Sequence, residues 1–122
     1  MVIIDSSSWV EALRENGQPA VRERVRGLMQ SGAARFIPMV RLELWAGVRG
    51  ETEKKTLLAL EAEIPELEIT PAIWEEARGL GRRARASGVT VPAPDLLIAA
   101  CARHHGAAIE ASDAHFAQLA KL

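Results

Sequence analysis

Aspartate is scarce in this chain. Of its sixteen acidic residues only Asp5, Asp95 and Asp113 are aspartates, and the rest are glutamates. Glutamate is the better helix former, so acids that merely solvate helix surfaces are expected to be glutamates. The three short carboxylates therefore stand apart. Each has a plain structural reading: Asp5 and Asp113 as helix caps, Asp95 as a first-turn charge set against the helix dipole. That every aspartate of the chain falls at such a place weighs toward a shared chemical role.

Glu43 joins them on other grounds. In the segment Met39 to Val48, Val40, Leu44 and Gly47 share its side of a helix by the i, i+3, i+4 rule, and Leu42, Trp45 and Ala46 make most of the other side apolar. A helix apolar almost all round is buried or lies in an interface. An ionised carboxylate there is costly unless paired with an arginine or bound to metal.

Carboxylates brought together repel one another and raise their own pKa values. Hard dications with oxygen ligands remove that penalty, and Mg²⁺ is the first choice. A cation held this way lowers the pKa of water and stabilises both oxygens of an in-line phosphoryl displacement, chemistry that needs no protein nucleophile. The sequence has no Cys/His cluster of the kind zinc requires. His104 and His105 fall at a helix end, where positive charge is favourable. His115, two residues after Asp113, has only proximity to recommend it.

Elements that would position these residues follow from periodicity and punctuation. Val2-Ile3-Ile4 is a β-branched run ending in Asp5, a short buried strand that leads into a helix over 9–15. Further helices are expected over 19–30, 39–48, 51–63, from Pro71 to the loop at Ser87, and over 95–105, with a short one opening at Ser112-Asp113. The helix after Pro71 carries Ile73, Trp74, Ala77, Leu80 and Ala84 at helical spacing. Arg35 to Ile37, Leu67 to Ile69 and Ala107 to Glu110 read as additional short strands. Strands alternating with helices imply an α/β domain over residues 1–122, with a central, mainly parallel sheet flanked by helices. In such sheets ligands bind outside the carboxyl ends of the strands. Asp5 follows the first strand and Asp113 the last, and Asp95 opens a buried helix that can join them.

A formal net charge of −1 argues against a protein that coats nucleic acid by charge alone. It leaves room for an enzyme that handles nucleic acid through bound cations. Cys101, the lone cysteine, lies in the apolar run Leu96 to Ala102 and reads as a small core residue. A cytoplasmic location is the default. The opening residues lack the basic start of a signal peptide, and no apolar run approaches a membrane span.

Four blocks in order, Val2-Ile3-Ile4-Asp5-Ser6-Ser7-Ser8-Trp9-Val10, Glu43 to Gly47, Pro92 to Ala100 and Asp113-Ala114-His115-Phe116, resemble the PIN domain, and most nearly the VapC toxins of bacterial type II toxin–antitoxin systems. The resemblance implies an endoribonuclease dependent on Mg²⁺ or Mn²⁺ that cuts RNA, often tRNA or ribosomal RNA. It implies that Asp5, Glu43, Asp95 and Asp113 are the catalytic acids. Asp5, Asp95 and Asp113 would be metal ligands, and Glu43 would position the attacking water. Ser7 resembles a small polar residue that hydrogen-bonds within the site, with a helix cap as its other reading. Relatives often carry threonine two residues before the last aspartate, where this chain has Ala111. Either Ser112 substitutes for that hydroxyl or the interaction is missing. A homodimer and a VapB-type antitoxin are also implied, the antitoxin's C-terminal segment lying across the groove. Trp9 and Trp45 are open to two roles, partner contact or core burial.

Two competing readings are a receiver-like or phosphohydrolase α/β domain and a non-catalytic metal-binding module. A receiver needs a lysine after a late strand, and Lys54, Lys55 and Lys121 are not so placed. Arg82, Arg83 and Arg85 precede the loop to Asp95. They either hold RNA phosphates or form a solvated helix face.

Overall fold

Residues 1–122 are all described by a computed structural model. Three short strands, β1 (Val2–Ile4), β2 (Ala34–Arg35) and β3 (Ala108–Glu110), form one wholly parallel sheet in the order β2-β1-β3. Successive side chains of a strand point to opposite faces, and a parallel sheet is covered on both. Accordingly Ile3 and Ile4 of the central strand are both fully buried.

Helices α1 (Ser6–Leu13) and α2 (Pro19–Gln30) connect β1 to β2. Helices α3 (Pro38–Ala46), α4 (Glu51–Glu63), α5 (Pro71–Ala86) and α6 (Ala93–His105) lie between β2 and β3, and α7 (His115–Leu119) closes the chain. Proline opens α2, α3 and α5, where its missing N–H has no partner to lose. The Thr70 hydroxyl accepts from the Ile73 N–H at 3.3 Å and caps α5. Gly106, at φ 67°, ends α6 in the left-handed conformation that glycine reaches without a side-chain clash.

The main core joins Ile3 and Ile4 to Trp9, Phe36, Ile37, Ile73 and Ile98. Trp9 stacks on Phe36 with ring centroids 5.4 Å apart. Helix α6 is buried continuously from Leu97 to Ala102, as its unbroken apolar run requires. Cys101 is fully buried there, and burial pushes its thiol up to about 11. Helix α5 packs closely on α6 because position 81 is glycine: a Cβ there would meet Leu96 Cδ1 at 3.1 Å. No helix is long and apolar enough to cross a membrane.

Three expectations change. Leu67 to Ile69 is not a strand; pairing there is limited to one parallel bridge between Phe36 and Glu66. The carbonyl of Glu68 receives side-chain partners instead, His105 Nε2 at 2.9 Å and Cys101 Sγ at 3.9 Å, and α5 begins too soon for a ladder to form. Helix α3, expected to be buried or at an interface, is not buried within the chain. Only Val40 is enclosed and Leu42 is 62% exposed, because α3 packs on α1, α4 and α6 and leaves its outer side uncovered. Trp74 belongs to the solvent side of α5, 53% exposed, while Ile73, Ala77, Leu80 and Ala84 form the buried stripe.

Candidate metal centre

The Asp5 N–H donates to the Glu110 carbonyl at 2.8 Å and extends the β1–β3 pairing by one step. The chain then turns into α1, with Asp5 as its cap. Asp5 Oδ2 accepts from the Ser7 N–H at 3.1 Å and from the Ser7 hydroxyl at 2.6 Å. Capping and site roles thus coincide: the helix start holds a 3%-exposed carboxylate at the carboxyl edge of the sheet. Ser7 Oγ in turn accepts from the Ser112 N–H at 3.0 Å, tying the segment after β3 to this corner.

Ser112 acts here through its backbone. Its own hydroxyl lies 3.0 Å from Ser8 Oγ, and Ser8 donates to Glu110 Oε2 at 2.8 Å, so the Ser112 hydroxyl is the donor to Ser8. Arg24 Nε reaches the other Glu110 oxygen at 2.7 Å. This buttress of Ser8, Ser112, Glu110 and Arg24 has no sequence signature, since Arg24 and Glu110 are 86 residues apart.

Asp95 stands in the first turn of α6, 7% exposed. Its Oδ2 lies 2.6 Å from His115 Nδ1. The same nitrogen is 3.7 Å from Asp113 Oδ1, which also accepts from the His115 N–H at 3.1 Å. Glu43 comes from α3 across the cleft, where its Oε1 accepts from the Ser6 hydroxyl at 3.4 Å. All four acids, with Ser6, Ser7 and His115, line one open cavity of about 340 Å³ that no lysine or arginine enters. Arg41, the nearest arginine in sequence to Glu43, pairs with Glu61 and Glu66 instead.

The electrostatics follow from that composition. Burial raises the Glu43 carboxyl, Asp5 raises it further, the Ser6 hydrogen bond opposes this, and Asp95 and Asp113 add to it. Asp95 is raised chiefly by burial; the His115 hydrogen bond opposes that rise, while Asp113 and Asp5 reinforce it. Two carboxyls pushed up by burial and by neighbouring acids, in a cleft that no lysine or arginine lines, fit a divalent cation. Asp95, Asp113 and His115 can each offer one donor atom, all within 4.8 Å of one another. Asp5 is outside that trio.

Glu43→Gln should therefore stabilise the metal-free protein. A raised folded-state pKa means the fold binds the proton more tightly than the unfolded chain does. The wild type then loses stability as pH climbs above the ordinary value of 4.5, and the advantage of glutamine opens over that rise. Thermal melts in chelator across pH 4 to 7 check this, and a gap independent of pH would contradict it.

His115 stands among the acids, as its spacing of two residues from Asp113 allows. Arg82, Arg83 and Arg85 are exposed on the last turns of α5 and form no ion pair. None lines the acidic cleft. Arg85 instead borders a separate hollow under the Gly88–Val91 loop. That loop runs on to Pro92 and Pro94, which do line the cleft.

The chain is thus a parallel three-stranded α/β domain with its acids gathered at the carboxyl edge of the sheet. Residues 2–122 match the PIN domain family, and this chain belongs to it. It is 38% identical over its full length to Ribonuclease VapC11 of Mycobacterium tuberculosis, covering 93% of that protein. Among solved structures it resembles VapBC2 from Rickettsia felis bound to a promoter DNA fragment, with a TM-score of 0.76 at 15% identity, covering 93% of this chain and 89% of that one. It also resembles Mycobacterium tuberculosis VapC20, a sarcin-ricin loop cleaving toxin, with a TM-score of 0.68 at 18% identity, covering 96% and 93%.

Proposed function

We propose that this chain, a single PIN domain over residues 1–122, is the toxin of a VapB–VapC-type pair, an endoribonuclease that hydrolyses RNA phosphodiester bonds with Mg²⁺ or Mn²⁺. The observation that carries this reading is the meeting of Asp5, Glu43, Asp95 and Asp113 in one cleft without a neighbouring lysine or arginine. The full-length likeness to a VapC ribonuclease supports it. The absence of lysine from the cleft lining leaves a receiver-like phosphate contact without a donor.

Asp5, Asp95 and Asp113 would hold the cation. Ser7 occupies Asp5 Oδ2 with two donors, so that carboxylate is fixed in one rotamer with Oδ1 free of protein partners. The start of α6 fixes Asp95. Glu43, on the opposite wall, orients the attacking water. A bound dication would supply the acidity of that water and stabilise the charge on the attacking and departing oxygens. The water's oxygen would bond to phosphorus as the bond from phosphorus to one sugar oxygen breaks, with one proton of that water passing through solvent to the departing oxygen.

The partners are an RNA of the tRNA or ribosomal class, a VapB-type antitoxin and a second copy of the chain, in the cytoplasm. Purified protein freed of antitoxin should cleave RNA when Mg²⁺ or Mn²⁺ is present and stop on adding EDTA. Cleavage by Asp5→Asn at the wild-type rate would remove these acids from the mechanism. Arg82, Arg83 and Arg85 are assigned to RNA phosphates on the approach to the cleft. Reversing all three to glutamate should weaken RNA binding and flatten its salt dependence by about one slope unit for each phosphate no longer neutralised; unchanged binding removes them from this role.

A further inference from the structure

We propose that His115 is itself a ligand of the metal centre, its ring nitrogen giving the site a preference for Mn²⁺ over Mg²⁺. The inference rests on the reading that the acids hold a cation. Nδ1 of His115 stands between two carboxylates, 2.6 Å from Asp95 Oδ2 and 3.7 Å from Asp113 Oδ1. Donors on one octahedral ion with bonds of ~2.1 Å lie ~3 Å apart when adjacent and ~4.2 Å apart when opposite. Nδ1 at 2.6 and 3.7 Å from the two carboxylate oxygens lies on either side of the adjacent separation, and all three donors sit within 4.8 Å of one another, so small side-chain shifts bring them onto one ion.

The ring is not there by the accident of a loose side chain. Its own backbone N–H is held by Asp113 Oδ1 at 3.1 Å, so the turn that opens α7 presents the carboxylate and the imidazole together. The ring approaches from the solvent side, 37% exposed, while Asp95 forms the inner wall. Without a metal, Nδ1 and Asp95 share a hydrogen. An ion between them replaces it, gaining bonds to both atoms. Mg²⁺ takes oxygen ligands and parts reluctantly with its waters. Nitrogen donors favour first-row transition dications instead, and His115 is the one nitrogen donor among the side chains lining the cleft.

The test uses the intact chain, with Mn²⁺ and Mg²⁺ titrated separately by calorimetry and the Mn²⁺ complex examined by pulsed EPR. Wild type should show modulation from a ligand nitrogen. His115→Ala should lose that signal and about tenfold or more in Mn²⁺ affinity, since even residues one step removed from a metal cost roughly 10–100-fold. His115→Asp, which restores an oxygen donor, should keep Mg²⁺ binding while narrowing the Mn²⁺ to Mg²⁺ affinity ratio by about tenfold. Tight Mn²⁺ binding with no nitrogen signal and an unchanged ratio in His115→Asp would make His115 an ion-pair partner of Asp95 only, leaving the acidic centre intact. Failure of wild type to bind either ion would overturn both the centre and the role of His115. Binding abolished by Asp95→Asn locates the measured ion in this cleft; binding that survives it places the ion elsewhere and sinks the proposal.

Discussion

Asp95→Asn is expected to lower RNA cleavage by at least about 100-fold, the upper range for removing even an indirect support of a metal, while the protein stays folded. The substitution keeps the volume of a side chain only 7% exposed at the start of α6. The asparagine oxygen can still accept from His115 Nδ1, so the local hydrogen bond survives. What goes is the charge. Burial raises the Asp95 carboxyl above its ordinary 3.8, so without metal the ionised side chain works against the fold. The sign is therefore opposite for the two readouts: activity falls, and melting temperature in chelator holds or rises. The stability margin over wild type should grow as pH rises above about 3.8. A labelled-RNA assay with Mn²⁺, paired with melts in EDTA, measures both. Near-normal cleavage would remove Asp95 from the chemistry, and a marked drop in stability would mean its carboxylate is chiefly a structural anchor.

The second large effect is on the scaffold. Trp9→Ala should cost ~3–5 kcal/mol, the usual range for emptying a buried aromatic site. That is a large part of the ~5–15 kcal/mol that holds a domain of this kind. Trp9 is fully buried, stacks on Phe36, and lies one turn after Asp5, whose carbonyl accepts its backbone N–H at 3.1 Å. Its loss frees the first turn of α1 from the core, and with it the cap geometry of Asp5. Activity should therefore fall along with stability. Trp9→Phe separates packing from hydrogen bonding. The indole Nε1 is buried without a partner, and an unsatisfied buried donor costs ~1–3 kcal/mol. Phenylalanine removes that cost while leaving a smaller void, so it should be far milder than alanine. Denaturant titrations of the three proteins decide it. Equal losses for Phe and Ala would show that the indole N–H has a partner after all.

Fold class and the acid set were legible because both are written in local chemistry. Val2 to Ile4 is too apolar and β-branched to be anything but a buried strand, and a parallel sheet explains why its residues are enclosed on both faces. Proline at the first turn of α2, α3 and α5 and glycine after α6 punctuate the helices directly. The scarcity of aspartate marked three of the four acids before any distance was known. For position 43 the apolar pattern allows either burial or an interface, and only the fold separates the two. The helix around it is exposed on its outer side, not enclosed, and the Glu43 carboxyl is raised by burial in the cleft and then by the charge of Asp5.

What the sequence by itself determined, then, was which residues were unusual and which end of a sheet they would occupy. Only the tertiary structure decided how they are arranged. Asp95 and Asp113 share His115, while Asp5 stands apart under two donors from Ser7. Ser112 supports the corner through its N–H, its hydroxyl being spent on Ser8. Those outcomes depend on residues about a hundred positions apart meeting in space, as with Ser7 and Ser112. Periodicity and propensity act over one or two turns and carry no information at that range.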